Sequence, residues 1–282
     1  MWKEFIATEQ IRIEKMYTLF EARYENGYSF HGETHDFWEC MYVKSGSVCV
    51  SGNERVYHLK QGEIIFHKPL ELHKFFVDCD EGCDLLIFSF DMIGEKVEYY
   101  KNKVFKLKAE QDRIVQQFLL FLHRGLSSCD EAYDSVFYYL NEAEENPVRL
   151  QLITLYIAQI LLSLCEDYKT LKTLDCFDAE VFKRAVEFMK ENISSQLSIK
   201  EIAVYCQVSQ TVLKSIFTKY GGMGVHKYFL TLKISAAARA LAKGMSVTKA
   251  ADSYGFKSQA YFSAAFKRET GLSPSEYAKT NI

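Results

Sequence analysis

The sequence predicts an α+β multidomain chain: an N-terminal β-barrel, a helical linker, and a C-terminal all-α domain with two helix-turn-helix units. Three observations carry that reading. Short apolar runs broken by turn residues fill the stretch from about Phe30 to Met92. Apolar residues at helical spacing take over from about Ala109. The last third then repeats itself at an offset of 48 to 49 residues. A chain of 282 residues has room for more than one domain, and its 48% hydrophobic content excludes bulk disorder.

The β region, residues 1–105, is read from its turns. ECMYVK ends at Ser45-Gly46, SVCV at Ser51-Gly52-Asn53, ERVYHLK at Gln61-Gly62 and EIIFH at Lys68-Pro69; KFFVD and DLLIFSFDM flank Asp80-Glu81-Gly82. Strands punctuated this regularly predict a barrel or sandwich. Residues 106–175 form the linker. Asn146-Pro147 pairs an N-cap side chain with a proline at the first helical position, where its missing N–H costs nothing. The helix it opens is apolar around much of its circumference, which predicts burial between domains or between subunits and makes it the candidate dimer seam. Its apolar core, Leu150 to Cys165, is interrupted by Gln151, Gln159 and Ser163 and is shorter than the roughly 20 residues that cross a bilayer, so no membrane span is expected.

The eight cysteines (40, 49, 79, 83, 129, 165, 176, 206) follow no CxxC pattern, and MWKEFIATEQ carries charge where a secretion signal would be apolar. Reduced thiols and a cytoplasmic location are expected. Charge divides the chain as well. Residues 196–282 hold 12 Lys/Arg against 4 Asp/Glu, or +8, while the remainder is at −11, giving the net −3. A basic C-terminal third points to a polyanion as its partner.

Residues 176–282 carry the repeat. Leu197, Ser198, Ile199, Ile202, Ala203 and Gln207 align with Met245, Ser246, Val247, Ala250, Ala251 and Gly255; after one extra turn residue, Ser209, Leu213, Phe217 and Gly222 align with Ser258, Phe262, Phe266 and Gly271. Each copy reads as a capped helix, a tight turn, and a second helix opened by serine, which is a helix-turn-helix unit. Ser198-x-x-Glu201 is a capping box. At 100° per residue, Leu213, Ile216 and Phe217 face inward and leave Thr211, Lys214, Ser215 and Thr218 outside, with Gln210 at the helix start. In the second copy Phe262, Ala265 and Phe266 face inward, leaving Ala260, Ser263, Ala264 and Lys267 outside and Gln259 near the start. A helix from about Val225 to Ala242, stopped by Gly244, would link the copies over roughly 27 Å.

IAVYCQVSQTVLKSIFTKYGGM and AADSYGFKSQAYFSAAFKRETGLSPSEY resemble the AraC/XylS-type transcriptional regulators. The pattern GF-x-S-Q-x-YF-x3-FKR-x2-G-x-SP-x2-Y, from Gly255 to Tyr277, is the most specific part, and the likeness covers residues from about 180 to 280. The resemblance implies a cupin-like effector-sensing domain at the N-terminus, promoter DNA as the target, a homodimer, and RNA polymerase as a partner. It places base-reading positions at Thr211, Lys214 and Ser215, then at Gln259, Ala260 and Ser263. Lys214 and Lys267 are the expected phosphate contacts. Gln207 stands where the family usually has a turn glycine, and a side chain in the left-handed conformation costs about 1 kcal/mol. Ala260 and Ala264 can touch a thymine methyl but donate no hydrogen bond, so the first unit and DNA shape are expected to carry much of the specificity.

His35-x3-Glu39-x6-Gly46 matches the second half of the first cupin motif, with Glu33 in place of its leading histidine; Gly62, Pro69 and His73 keep parts of the second. Glu33, His35, Glu39 and His73 offer a donor set suited to Fe(II), Mn(II) or Zn(II), and a metal-dependent cupin enzyme with a DNA-binding tail is the competing reading. The preferred reading is a sensor pocket with no metal or other cofactor. Family resemblance implies a small effector, often a sugar or related metabolite, bound by His35, Glu39, His67 and His73 with Phe37 or Trp38 stacked on it. A regulator without any ligand is the third alternative. The sequence holds no nucleophile elbow, P-loop or dinucleotide fingerprint, so no enzymatic activity is expected.

Overall fold

The structure, a computed structural model, describes residues 2–124, 138–166, 169–170 and 173–280. Its N-terminal part is antiparallel throughout: β1 (Arg12–Tyr24), β2 (Trp38–Gly52), β3 (Arg55–Lys60), β4 (Glu63–His67), β5 (His73–Phe76), β6 (Cys83–Ile93) and β7 (Val104–Lys106), with β8 (Lys169–Thr170) added at the β7 edge. The first half of β2 pairs with β4 and β6, and its second half pairs with β3 and β5. ECMYVK and SVCV are therefore one strand, not two. Ser45-Gly46 is a bend with a register shift after Val43 rather than a chain reversal. Curling of β2 joins both sheets into one cupin-like body.

Strand alternation sorts the core into two layers. Met41, Val43, Val48 and Val50 of β2 face inward, where Leu59, Ile65, Phe75, Leu85 and Ile87 fill the interior. Trp38, Cys40 and Tyr42 point the other way, against helices. Those helices are α1 (Ala109–His123), α2 (Tyr138–Glu144) and α3 (Pro147–Glu166). Asn146 caps α3 as expected, accepting the Arg149 N–H at 3.1 Å. By length and composition α3 is the one helix among the described residues able to cross a membrane, being longer than its apolar stretch suggested. However, Ile153, Ile157, Ile160, Leu161 and Leu164 are buried in the core beneath the sheet, so one face of the helix packs within the protein. Val148, Leu152, Leu155 and Leu162 remain exposed on another face.

Seven helices follow: α4 (Phe177–Glu191), α5 (Ile199–Cys206), α6 (Gln210–Ile216), α7 (Val225–Ala242), α8 (Val247–Ser253), α9 (Gln259–Thr270) and α10 (Pro274–Thr280), with a π-turn at 217–221 after α6. They enclose two cores, one for each repeat copy. α7 belongs to both: Val225, Tyr228, Phe229 and Leu232 pack with the first, Ile234, Ala237, Ala238 and Leu241 with the second. Lys233, buried on α7, donates to Ser195 O at 2.8 Å and to Tyr254 O at 2.9 Å, so one ammonium ties the entry of the first unit to the turn of the second.

The first unit also docks on the β domain. Cys49, Val56 and Leu72 share its core, Ser51 donates to Tyr220 O, Lys74 donates to Thr218 O at 2.8 Å, and Tyr228 donates to Asn53 O at 2.8 Å. Gly222, at φ 68°, passes so close that a Cβ there would lie 1.9 Å from His31 O. Seven described cysteines are unpaired, and Cys129 lies outside the described residues.

Candidate functional site

Each helix-turn-helix unit is fixed by local hydrogen bonds that its sequence dictates. Ser198 and Glu201 form the reciprocal capping box, at 3.2 Å from Glu201 N to Ser198 Oγ and 2.8 Å from Ser198 N to Glu201 Oε2. Ser209 accepts Val212 N–H at 3.2 Å, Ser246 accepts Lys249 N–H at 3.4 Å, and Ser258 accepts Tyr261 N–H at 3.2 Å. Small Ala203 and Ala251 are buried where helices meet. The turn of the first unit does run through the left-handed region: Gln207 has φ 58° and ψ 39°. Its counterpart Gly255 has φ 65°.

With Leu213, Ile216 and Phe217 inside, α6 leaves Gln210, Thr211, Lys214 and Ser215 exposed, and Thr218 follows in the π-turn. Thr218 is not free of the rest of the molecule, because its hydroxyl donates to Lys214 O and its carbonyl accepts from Lys74. On α9, Phe262, Ala265 and Phe266 are inside; Gln259, Ala260 and Lys267 are exposed and Ser263 is half-buried. Gln259 accepts from Thr248 at 3.1 Å, a bond across the turn that sequence reading missed. Nearby Lys200, Lys249 and Lys257 are exposed too. Serine-capped helices with polar outer faces and lysines around them are equipped to meet phosphates and base edges.

A second polar cluster lies in the β domain. Glu39, the second residue of β2, sits opposite His67 of β4, while Glu33 bridges to His73 at the start of β5. His73 Nε2 lies 3.2 Å from Glu39 Oε1 and 3.6 Å from Glu33 Oε1; His35 Nε2 lies 3.8 Å from Glu39 Oε2. His67 stacks on His73 at 4.3 Å and approaches Glu71 to 3.7 Å. Gly52 makes room, since a Cβ there would be 2.8 Å from Glu71 Oε1. Burial raises the Glu39 carboxyl, but His35 and His73 outweigh it and hold the group well below the usual carboxylate range. Burial lowers His73, yet Glu33 and Glu39 prevail and push it up to about 10. For His67 burial wins, helped by His73, and its pKa falls.

Of the six effector positions expected from sequence, His35, Glu39, His67 and His73 come together. Phe37 covers the cluster, stacked on His35 at 3.9 Å and on Tyr17 at 4.1 Å. Trp38 does not join them. It lies on the opposite face of β2, in the helix-covered core, because neighbouring strand residues point to opposite sides. Glu71 was missed as a site residue, although its i, i+2 relation to His73 was a usable signal. Beyond the cluster lie the apolar side chains of the inner layer, and open space occurs at the domain seam. There a cleft of about 600 Å³ is lined by Glu33, Thr34 and Leu72 on one side and by Lys227, Thr231 and Arg268 on the other.

A sensor-type β domain joined to paired helix-turn-helix units defines a transcription regulator with ligand-binding and DNA-binding parts in one chain. Residues 17–141 match the AraC-like ligand binding domain, and residues 202–280 match a helix-turn-helix domain. The chain belongs to the AraC-type family of transcriptional regulators. Among its relatives is the raffinose operon regulatory protein RafR of Pediococcus pentosaceus, 32% identical over 102 residues, which are 36% of this chain and 37% of that one. The transcriptional activator RhaR of Salmonella dublin is 20% identical over 277 residues, covering 98% and 94%. A crystal structure of ToxT from Vibrio cholerae aligns over 97% of this chain and 98% of that one, at 14% identity and a TM-score of 0.40.

Proposed function

We propose that this regulator, acting as a homodimer in the cytoplasm, inserts α6 and α9 into successive major grooves of promoter DNA and responds to a small polar effector. One observation carries the DNA reading: two serine-capped helices with exposed polar faces share a single connecting helix, α7, whose 18 residues span about 27 Å, short of the roughly 34 Å of one duplex turn by little more than a side chain. Lys214 and Lys267 take phosphates; Gln210, Thr211, Ser215, Gln259, Ala260 and Ser263 meet bases, and Thr218 supports from the π-turn. Residues 1–105 sense, 106–175 dimerise and 176–282 bind DNA. RNA polymerase is the partner through which transcription changes. No enzymatic step is assigned to the chain.

A relative named for the raffinose operon supports a carbohydrate or related metabolite as the effector. Carboxylates and imidazoles at the Glu33–His73 cluster suit hydroxyl groups, and Phe37, held between His35 and Tyr17, borders the place where they would bind. For the dimer, Val148, Leu152, Leu155 and Leu162 recur at the 4-3-7 spacing of a heptad seam on the exposed face of α3.

The experiment is to recover genomic fragments bound by the full chain and titrate them by fluorescence anisotropy. Affinity falls as salt rises, with a slope of about −0.9 per phosphate neutralised, and Lys214→Ala reduces that slope by about 1. Affinity indifferent to salt, or a Lys214→Ala titration identical to wild type, overturns the reading. Leu152→Asp with Leu155→Asp yields a monomer in sedimentation if α3 is the seam. In a thermal-shift screen, an effector at 100 times its Kd stabilises by about 2.7 kcal/mol.

A further inference from the structure

We infer that Glu33, His35, Glu39 and His73 bind one divalent first-row transition-metal cation. The sequence set metal aside because Glu33 replaces a histidine. The folded chain turns that replacement into a donor: the four residues offer ligand atoms that all lie within 4.8 Å of one another.

Tautomers make the case. His35 Nδ1 lies 3.0 Å from Phe37 O, and His73 Nδ1 lies 3.0 Å from Glu71 O. A carbonyl only accepts, so each Nδ1 carries the hydrogen and each Nε2 turns toward the cluster. Both Nε2 atoms are buried and neither has a hydrogen-bond partner; the His73 side chain is only 2% exposed. Both Nε2 atoms are thereby aimed at the Glu39 and Glu33 oxygens, and anchoring the distal ring nitrogen on a carbonyl is how proteins orient metal-binding histidines.

Spacing agrees. With bonds of about 2.1 Å, tetrahedral ligands stand about 3.4 Å apart. The separations here are 3.2, 3.6 and 3.8 Å. Two imidazoles with two carboxylates favour Zn(II), Fe(II), Mn(II) or Ni(II) over Mg(II) and Ca(II), which prefer all-oxygen shells. His67, stacked on His73, and Glu71, which holds its Nδ1–H, fix the ring from behind. Glu33, with its side chain 46% exposed, gives the ion a way in from the domain seam. The site stands on β-domain residues and does not depend on the DNA reading.

The test uses the full chain, stripped with chelator and titrated calorimetrically with ZnCl2, MnCl2, NiCl2 and MgCl2. One Zn(II), Mn(II) or Ni(II) binds per chain and MgCl2 does not compete. Glu33→Gln weakens binding at least tenfold, His73→Gln abolishes it, and His58→Gln, a histidine outside the cluster, leaves it unchanged. Should His73→Gln not fold, Glu33→Gln at the exposed rim decides alone. Co(II) loaded into the wild type shows ligand-field bands without a thiolate charge-transfer band. Absence of stoichiometric binding, unchanged affinity in Glu33→Gln, or a thiolate band placing the ion on the cysteines overturns the proposal.

Discussion

Replacing Lys233 with methionine tests how the two helix-turn-helix units are held in register. The ammonium is buried, and burial lowers its pKa, yet it donates to Ser195 O and Tyr254 O, which belong to different units. Gln196 adds a parallel tie by donating to Gly255 O. Hydrogen bonds from a charged donor contribute about 1.5–3 kcal/mol each, and part of that is returned because methionine buries no charge. A net loss of about 2 kcal/mol follows, which for a domain of about 100 residues lowers Tm by about 8–16 °C. Lys227→Met, an exposed lysine on the same helix, is the control. In anisotropy titrations, Lys233→Met weakens binding to a two-groove site far more than to a single-groove fragment, because α6 and α9 no longer act as one rigid pair. Should Tm stay within about 1 °C of wild type, the ties are not what sets the register.

Gln207→Gly removes a side chain from a left-handed turn and stabilises the protein by about 0.5–1 kcal/mol, read by urea unfolding. Gly222→Ala forces the chain off His31 O; limited proteolysis shows the β domain released from the first unit while circular dichroism is preserved. Glu21 is buried, which raises its pKa, but hydrogen bonds from Lys44, Tyr139 and His123 lower it further than burial raises it. A carboxylate whose pKa is depressed by folding stabilises above its unfolded value and ceases to do so as pH falls through the folded one. Glu21→Gln therefore costs about 1–3 kcal/mol at pH 7, and the difference from wild type vanishes in acid, as paired unfolding curves across pH will show.

What could be read without coordinates was what is encoded locally. Ser198, Ser209, Ser246 and Ser258 each cap the helix that follows, so the bounds of α5, α6, α8 and α9 are written within a few residues. Strand β1 escaped notice because it is an edge strand carrying Arg12, Glu14, Lys15, Glu21 and Arg23, and partial exposure blurs its alternation. β2 read as two strands because a bend and a turn use the same residues, Ser45-Gly46. The polar cluster was half legible: His35 and Glu39 are close in sequence, but their meeting with His67 and His73 depends on how β2 curls. Docking of Ser51 and Lys74 on the first unit has no local signature at all, since its partners lie far along the chain.

The interdomain hydrogen bonds named above all end on one side of α7's midpoint, at Thr218, Tyr220 and Tyr228, while the rod continues into the second unit's core, against which Leu70 of the β domain packs. Slackening that grip would swing both reading heads together, as an oar turns in its rowlock, leaving the gap between them unaltered. A signal sensed by the β-barrel would then alter where the pair points and not which spacing of bases it fits.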